Sequence, residues 1–175
     1  EGLSKSVRHV FVKLYKDGLV YKDKRLSNWD PKLKTTISDL EVIQKEATGT
    51  LWYINYKIEN EDDYITIATT RPETMLGDTA IAVHPEDKRF THMVGKFALL
   101  PIVEKRIPIV ADEYVKMDQG SGAVKITPAH DFNDYELGKR HTLEIINIFN
   151  ENAELNENCP QEYQGLDRYT AREKI

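Results

Sequence analysis

The spacing of apolar residues predicts a helix at the start of the chain. Val7, Val10, Phe11 and Leu14 follow the i, i+3, i+4, i+7 spacing of one helical face, and Gly18 is a favourable residue for the helix to end on. This short pattern is isolated from any other strong helical signal in the sequence. We therefore expect the apolar face of this helix to dock on another surface.

Strand patterns fill the middle of the chain. Apolar residues alternate along residues 52–58, a polar turn follows at 59–63, and a run rich in β-branched residues covers 64–70. Together these three segments predict a hairpin. Further strand candidates are residues 79–83, 97–100, 107–110, 123–127 and 144–149.

Helical segments after the first are few and short. One is predicted from Pro85, a favoured first-turn residue, to Gly95, and another follows Asp131 to about residue 140. Asp167 is suited to cap a final helix. Many short strands with few helices predict an α+β fold, a β-barrel-like domain with a few short peripheral helices. A chain of 175 residues has the length of one ordinary domain.

Composition and charge narrow the classes of function. Hydrophobic residues make up 40% and charged residues 30%, as in globular proteins, and no run reaches the ~18 apolar residues of a membrane-spanning helix. The first ten residues lack the apolar stretch of a signal peptide, so we expect a cytoplasmic protein without membrane contact. The net charge of −5 argues against a general nucleic-acid binder. Residues 1–36 carry a net +5, which fits either contact with a phosphate backbone or a solvated surface.

Several common chemistries are disfavoured by the sequence. The single cysteine, Cys159, excludes an internal disulfide, and neither it nor the five histidines have metal-ligand spacing. No glycine-rich phosphate loop is present. We therefore expect no metal and no cofactor. A triad of Ser121, His130 and Asp131 is disfavoured because Ser121 lacks the surroundings of a nucleophile elbow.

Two polar segments are candidates for the chemistry, and the first is residues 68–78 (ATTRPETMLGD). It concentrates three threonines, an arginine and a glutamate where a strand ends and a short helix begins at Pro72. Amides at a helix N-terminus and neighbouring hydroxyls bind anions or carbonyl oxygens. The same residue types are also typical of an ordinary helix start, with a threonine cap and a proline in the first turn.

The second segment is residues 120–134 (GSGAVKITPAHDFND). Lys125 and Thr127 are two residues apart on a predicted strand, so their side chains point to the same face. Asp131 occupies a helix N-cap position, where it either only caps the helix or also belongs to a functional cluster, and Asp134 follows in the first turn. A lysine, a threonine hydroxyl and two carboxylates are suited to hold an amino acid by its ammonium and carbonyl groups.

These two segments resemble the signature motifs of the editing insertion in class I aminoacyl-tRNA synthetases for branched aliphatic amino acids. Within that group, residues 71–74 (Arg-Pro-Glu-Thr) are similar to the valine enzymes, whereas isoleucine enzymes tend to carry Thr-Pro-Trp-Thr and leucine enzymes Arg-Pro-Asp-Thr. The resemblance covers nearly the whole chain. Supporting stretches are residues 28–31, 37–42, 82–85, 112–115 and 165–168. Ser121 is a mild departure, since many relatives have threonine there.

The resemblance implies a β-barrel with peripheral helices and a division of the chain. Residues 1–36 resemble the connection from a catalytic core, 37–150 the editing domain, and 151–175 a loop and the return toward the core. The ATP-site signatures of the family, His-Ile-Gly-His and Lys-Met-Ser-Lys-Ser, are absent here, so ATP is expected only in the parent enzyme's core. The implied partners are the 3′ end of tRNA(Val) carrying threonine and the rest of the synthetase, with the chain a monomer.

The resemblance also implies the pocket residues and the reaction, hydrolysis of the ester bond of threonyl-tRNA(Val) by water. The residues expected to be catalytic are Lys125, Thr127, Asp131 and Asp134. The residues expected to bind substrate are Thr69, Thr70, Arg71, Glu73, Thr74 and His130. Because Lys125 and Asp134 are expected to face an open pocket, their replacement by alanine predicts loss of hydrolysis with the fold retained.

An editing site needs such polar groups because threonine and valine have nearly the same shape. Valine enzymes themselves are known to reject threonine only about 10²-fold in their synthetic pocket. A second site that hydrogen-bonds the threonine hydroxyl selects in the opposite direction, and Asp134 is the candidate acceptor. Two alternatives remain. One is an editing domain of an isoleucine or leucine enzyme, against which Glu73 argues, and the other is a non-catalytic module that only positions tRNA.

Overall fold

The structure is a computed structural model that describes residues 2–175. In chain order its elements are α1 (Gly2–Lys16), β1 (Asn28–Asp30), β2 (Thr35–Ile37), β3 (Trp52–Ile58), β4 (Tyr64–Thr69), β5 (Ala80–Val83), β6 (Phe97–Leu99), β7 (Arg106–Ala111), β8 (Ala123–Ile126), α2 (Phe132–Arg140) and α3 (Arg168–Lys174). Short 3-10 helices lie at Asp39–Glu41, Pro72–Gly77 and Thr91–Met93. Within residues 2–175, none of the helices combines the length and apolar character needed to cross a bilayer.

Six of the strands form one mixed sheet in the order β4-β3-β6-β7-β5-β8. Neighbouring strands are antiparallel except β5 and β7, which are parallel. The two end strands, β4 and β8, lie against each other, so the sheet curls into a nearly closed barrel. Gly120 allows the loop before β8 to approach β4, because a Cβ there would lie 2.9 Å from the Cβ of Ala68. The predicted barrel-like α+β fold is confirmed.

The barrel core is built from the alternating strand patterns that the sequence shows. Tyr56 and Ile58 on β3 and Ile65 and Ile67 on β4 point inward and are fully buried. All four residues of β5 are buried, because its second face packs in a smaller cluster with Val115 and with Leu137 of α2. This layering places the ends of β4 and β8 beside the start of α2.

Two predicted elements are absent from the described residues. Residues 85–95 form turns and a 3-10 helix, because the Asp87 side chain accepts the Arg89 N–H at 3.0 Å and competes with a helical hydrogen bond. Residues 144–149 form only an isolated bridge. There the Ile148 N–H donates to the His130 ring, and the Ile148 carbonyl accepts from the Asn156 N–H. The backbone groups of Ile148 are therefore paired without a strand ladder. Both predictions were wrong.

The two ends of the chain relate to the barrel in different ways. Helix α1 forms as predicted, but none of its residues is buried, and its apolar face is exposed. Residues 28–37 form the β1–β2 hairpin, where the sequence predicted only a turn at 28–31. By contrast, the last segment contributes Leu155, Cys159 and Ala171 to the barrel core. Helix α3 begins at Arg168, directly after Asp167, which caps it as predicted.

Candidate active site

The two polar segments meet where β4 and β8 adjoin. A cavity of about 280 Å³ opens there, slightly below the usual size range of ligand pockets. The predicted site residues that line it are Thr69, Thr70, Arg71, Thr74, Lys125, Thr127, His130, Asp131 and Asp134. Leu51 and Tyr114 also line it and were not predicted, because they lie outside both motifs and carry no polar pattern.

Lys125 lies at the floor of this cavity and is almost entirely buried. Its ammonium donates to Thr74 Oγ1 at 2.7 Å, to Thr127 Oγ1 at 2.5 Å and to Asp78 Oδ1 at 3.0 Å. The Thr127 hydroxyl in turn donates to Asp78 Oδ1 at 2.6 Å. Because an ammonium has three protons, all of its hydrogen bonds are made within the protein.

Asp78 is the counter-ion of Lys125, and sequence reasoning missed it. It is fully buried, and its Oδ2 accepts from the Tyr56 hydroxyl at 2.7 Å. Burial raises the pKa of Asp78, while the neighbouring Lys125 charge acts in the opposite direction. Burial and the Asp78 charge raise the pKa of Tyr56 well above its ordinary value, so Tyr56 is a neutral donor. Asp78 is the last residue of the first motif. Its partners on β3 and β8 lie outside that motif, so the motif does not predict the pairing.

Asp134 presents an acceptor to the cavity. Its Oδ2 accepts the Thr127 N–H at 2.9 Å, and no donor in residues 2–175 hydrogen-bonds its Oδ1. Burial raises the pKa of Asp134 to about 6, against the opposing effects of the Thr127 N–H and of Lys125. The free oxygen is therefore suited to accept from an ammonium or a hydroxyl. Asp131 caps α2, as the local pattern predicts, and also lines the cavity.

His130 is neutral in this site. Its Nε2 accepts the Ile148 N–H at 3.0 Å, which assigns the ring proton to Nδ1. Burial, helped by the charges of Arg71 and Lys125, lowers the pKa of His130 to about 3. With Nε2 occupied and Nδ1 protonated, the ring can donate a hydrogen bond but has no free acceptor for a proton.

Arg71 links the two motifs across the mouth of the cavity. Its Nη1 donates to the His130 carbonyl at 2.8 Å. Its own backbone is held by the two threonines of the motif, since Thr69 Oγ1 accepts its N–H and Thr74 donates to its carbonyl. Thr70 is exposed at the mouth. The first motif therefore forms both a helix start and a pocket wall.

Glu73 is the predicted site residue that the structure does not bring to the cavity. Its side chain is fully buried behind the wall, where it accepts two hydrogen bonds from Arg172 on α3, at 2.9 and 2.7 Å. The prediction that Glu73 contacts substrate does not fit this position. No local pattern indicates the pairing, because Arg172 lies 99 residues further along the chain.

Comparison with known proteins shows the family of the chain. A profile of the family described as tRNA synthetases class I (I, L, M and V) matches residues 1–158. The chain belongs to this family. It is 65% identical over 175 residues to a valine–tRNA ligase of Pelagibacter ubique, covering 100% of this chain and 20% of that protein. It is 59% identical over 175 residues to the valine–tRNA ligase of Francisella tularensis, covering 100% of this chain and 19% of that protein.

The chain therefore spans about a fifth of the length of these class I synthetase relatives. Among solved structures, its fold is similar to part of the ternary complex of Agrobacterium radiobacter K84 agnB2 LeuRS-tRNA-LeuAMS. The TM-score is 0.58 at 21% sequence identity, and the match covers 95% of this chain and 29% of that one. The family membership and the barrel fold agree with what the resemblance of the two motifs implies.

Proposed function

We propose that this chain is an editing domain that hydrolyses the ester bond of threonyl-tRNA(Val). The observation that carries the proposal is the unoccupied acceptor Oδ1 of Asp134 in a small polar cavity, beside the buried Lys125 network. The 65% identity to a valine–tRNA ligase supports valine rather than isoleucine or leucine as the cognate amino acid.

Recognition of threonine follows from the free oxygen of Asp134. An ionised carboxylate accepts from the α-ammonium and from the threonine hydroxyl, and charge-assisted hydrogen bonds are about twice as strong as neutral ones. Valine has no hydroxyl, so the polar groups of the site that bind the threonine hydroxyl remain unpaired when valine is bound. An unpaired buried polar group costs about 1–3 kcal/mol, which corresponds to a preference of roughly ten- to a hundredfold.

The proposed reaction is attack of water on the ester carbonyl carbon. The bond from that carbon to the ribose oxygen then breaks, and the ribose oxygen takes up a proton, so that threonine and tRNA with a free terminal ribose are released. Positive charge from Lys125 offsets the negative charge that develops on the carbonyl oxygen, and Arg71 orients the bound substrate. Because the protons of Lys125 are all engaged, it acts by its charge and by orienting Thr74 and Thr127.

We propose no metal and no cofactor for this reaction, and ATP only for the parent enzyme's core. Since His130 has no free acceptor nitrogen, a ribose hydroxyl of the substrate is the proposed assistant in activating water. The proposed partners are the 3′ end of tRNA(Val) and the remainder of a cytoplasmic synthetase. The exposed apolar face of α1, on which Val7, Val10 and Phe11 are each more than half exposed, supports contact with another protein surface.

The direct test is release of threonine from threonyl-tRNA(Val) incubated with the chain. We expect hydrolysis above the spontaneous rate, and slower hydrolysis of valyl-tRNA(Val) and of the correctly charged isoleucine and leucine tRNAs. Asp134→Ala is the matched control. Binding of tRNA without any release of amino acid would instead support a module that only positions tRNA.

The pKa of Asp134 predicts the pH dependence of hydrolysis. Since burial raises this pKa to about 6, a growing fraction of the carboxyl is protonated below pH 6 and cannot accept from the ammonium. We expect kcat/KM of the wild type, divided by that of Asp134→Asn, to fall about tenfold per pH unit below pH 6. The ratio cancels the intrinsic pH dependence of ester hydrolysis. A ratio that is constant from pH 4.5 to 7 would contradict the assignment.

A further inference from the structure

A buried carboxylate behind the pocket wall lies between two guanidinium groups. Arg172 Nε donates to Glu73 Oε2 at 2.9 Å, and Arg172 Nη2 donates to Glu73 Oε1 at 2.7 Å. This is the paired geometry in which arginine binds carboxylates most strongly. The Nε of Arg71 lies 3.6 Å from Glu73 Oε1, which is within ion-pair range but too long for a hydrogen bond.

The two arginines differ in what they do beyond this carboxylate. Arg172 belongs to α3 and is outside the cavity, whereas Arg71 lines the cavity and donates to the His130 carbonyl at its mouth. Because Arg172 occupies both oxygens of Glu73, the Arg71 guanidinium remains free to extend to His130. A fully buried carboxylate does not stay unpaired, so in the absence of Arg172 it would take its hydrogen bonds from Arg71.

From this competition we infer that Arg172 is a positioning residue, which keeps the Arg71 guanidinium at the mouth of the pocket by saturating Glu73. The consequence for substrate rests on the proposed editing function, in which Arg71 orients the bound substrate. Loss of Arg172 would then draw Arg71 back toward the wall and weaken binding of the substrate, while the Lys125 network and Asp134 remain in place.

A double-mutant cycle of deacylation kinetics tests the coupling. Arg172→Met is expected to raise KM at least about tenfold, the effect of losing one charge-assisted contact, with a smaller change in kcat. In an Arg71→Met background the same change is expected to have almost no further effect on KM. Equal relative losses in both backgrounds would overturn the proposal, because a purely structural role of Arg172 does not depend on Arg71.

Two further variants keep the cycle interpretable. Arg168→Met removes a guanidinium from the same helix that donates to Tyr169 and not to Glu73, so its KM is expected to match the wild type. Arg172→Lys retains the charge without the paired geometry and is expected to fall between wild type and Arg172→Met. Circular dichroism at the assay temperature confirms that each variant compared is folded.

A measurement without substrate separates this proposal from the proposed function. The side-chain Nε–Hε resonance of Arg71, followed by ¹⁵N NMR, is expected to shift in Arg172→Met and not in Arg168→Met. If the resonance shifts but the wild type hydrolyses no aminoacyl-tRNA, the positioning role stands and the editing function fails. If the wild type is active and the resonance is unchanged in Arg172→Met, the positioning role is wrong.

Discussion

Lys125→Met is expected both to abolish hydrolysis and to lower the free energy of unfolding by roughly 3–5 kcal/mol, the usual cost of removing one partner of a buried ion pair. The reason is that Asp78 is fully buried and would lose its counter-ion. Such a loss is a large part of the ~5–15 kcal/mol that stabilises an ordinary domain. Urea denaturation followed by circular dichroism measures it.

This expectation differs from the one drawn from the sequence, in which Lys125 faced an open pocket and its loss left the fold intact. Lys125 is only 6% exposed, so its replacement affects the core as well as the cavity.

The double variant Lys125→Met with Asp78→Asn separates the two effects of Lys125. Removing both charges leaves no unpaired ion, so most of the lost stability is expected to return. Hydrolysis is expected to remain absent, because the cavity floor no longer carries positive charge. Recovery of activity in the double variant would contradict the electrostatic role, and unchanged stability of Lys125→Met alone would mean that the ion pair contributes nothing.

Asp134→Ala is expected to erase the preference for threonine over valine. The wild type should hydrolyse threonyl-tRNA(Val) roughly ten- to a hundredfold faster than valyl-tRNA(Val), since only threonine offers a hydroxyl to the free Oδ1. Without the carboxylate both esters are bound alike, and the ratio of their single-turnover rates approaches one. If the ratio survives in Asp134→Ala, another group reads the hydroxyl, and Thr127 is the next candidate.

Asp134→Asn is the matched control for this variant. It retains an acceptor for the Thr127 N–H, which Asp134→Ala leaves unpaired at a cost of about 1–3 kcal/mol. Loss of the charged contact to the ammonium is expected to slow hydrolysis of both esters.

Asp134→Asn is also expected to be more stable than the wild type above pH 6. A carboxyl whose pKa rises on folding binds its proton more tightly in the native state. Proton binding therefore stabilises the folded protein at low pH, and this stabilisation is lost as pH rises from 3.8 to about 6. Above pH 6 the wild type bears the full cost of burying an ionised carboxylate, at most about 3 kcal/mol, and the asparagine variant does not.

Local patterns in the sequence determined the elements that are held by contacts between residues close together along the chain. Alternation along residues 52–58 and 64–70 gave the β3–β4 hairpin, and Asp131 and Asp167 cap helices where their positions predicted. These features depend on backbone geometry over a few residues, which the residue types specify directly. The two polar motifs likewise identified most of the cavity lining, because each is a short continuous segment at the end of a strand.

Tertiary structure decided which of those polar side chains face the cavity and which support it. Asp78 and Glu73 belong to the same motif as Arg71, but burial requires each of these two carboxylates to have a partner, and the partners come from distant strands and from α3. Residues 144–149 are likewise not a strand, since the Ile148 N–H pairs with the distant His130 ring instead of with a neighbouring strand. Pairing between groups far apart in the chain exists only once the barrel has closed, and no spacing in the sequence encodes it.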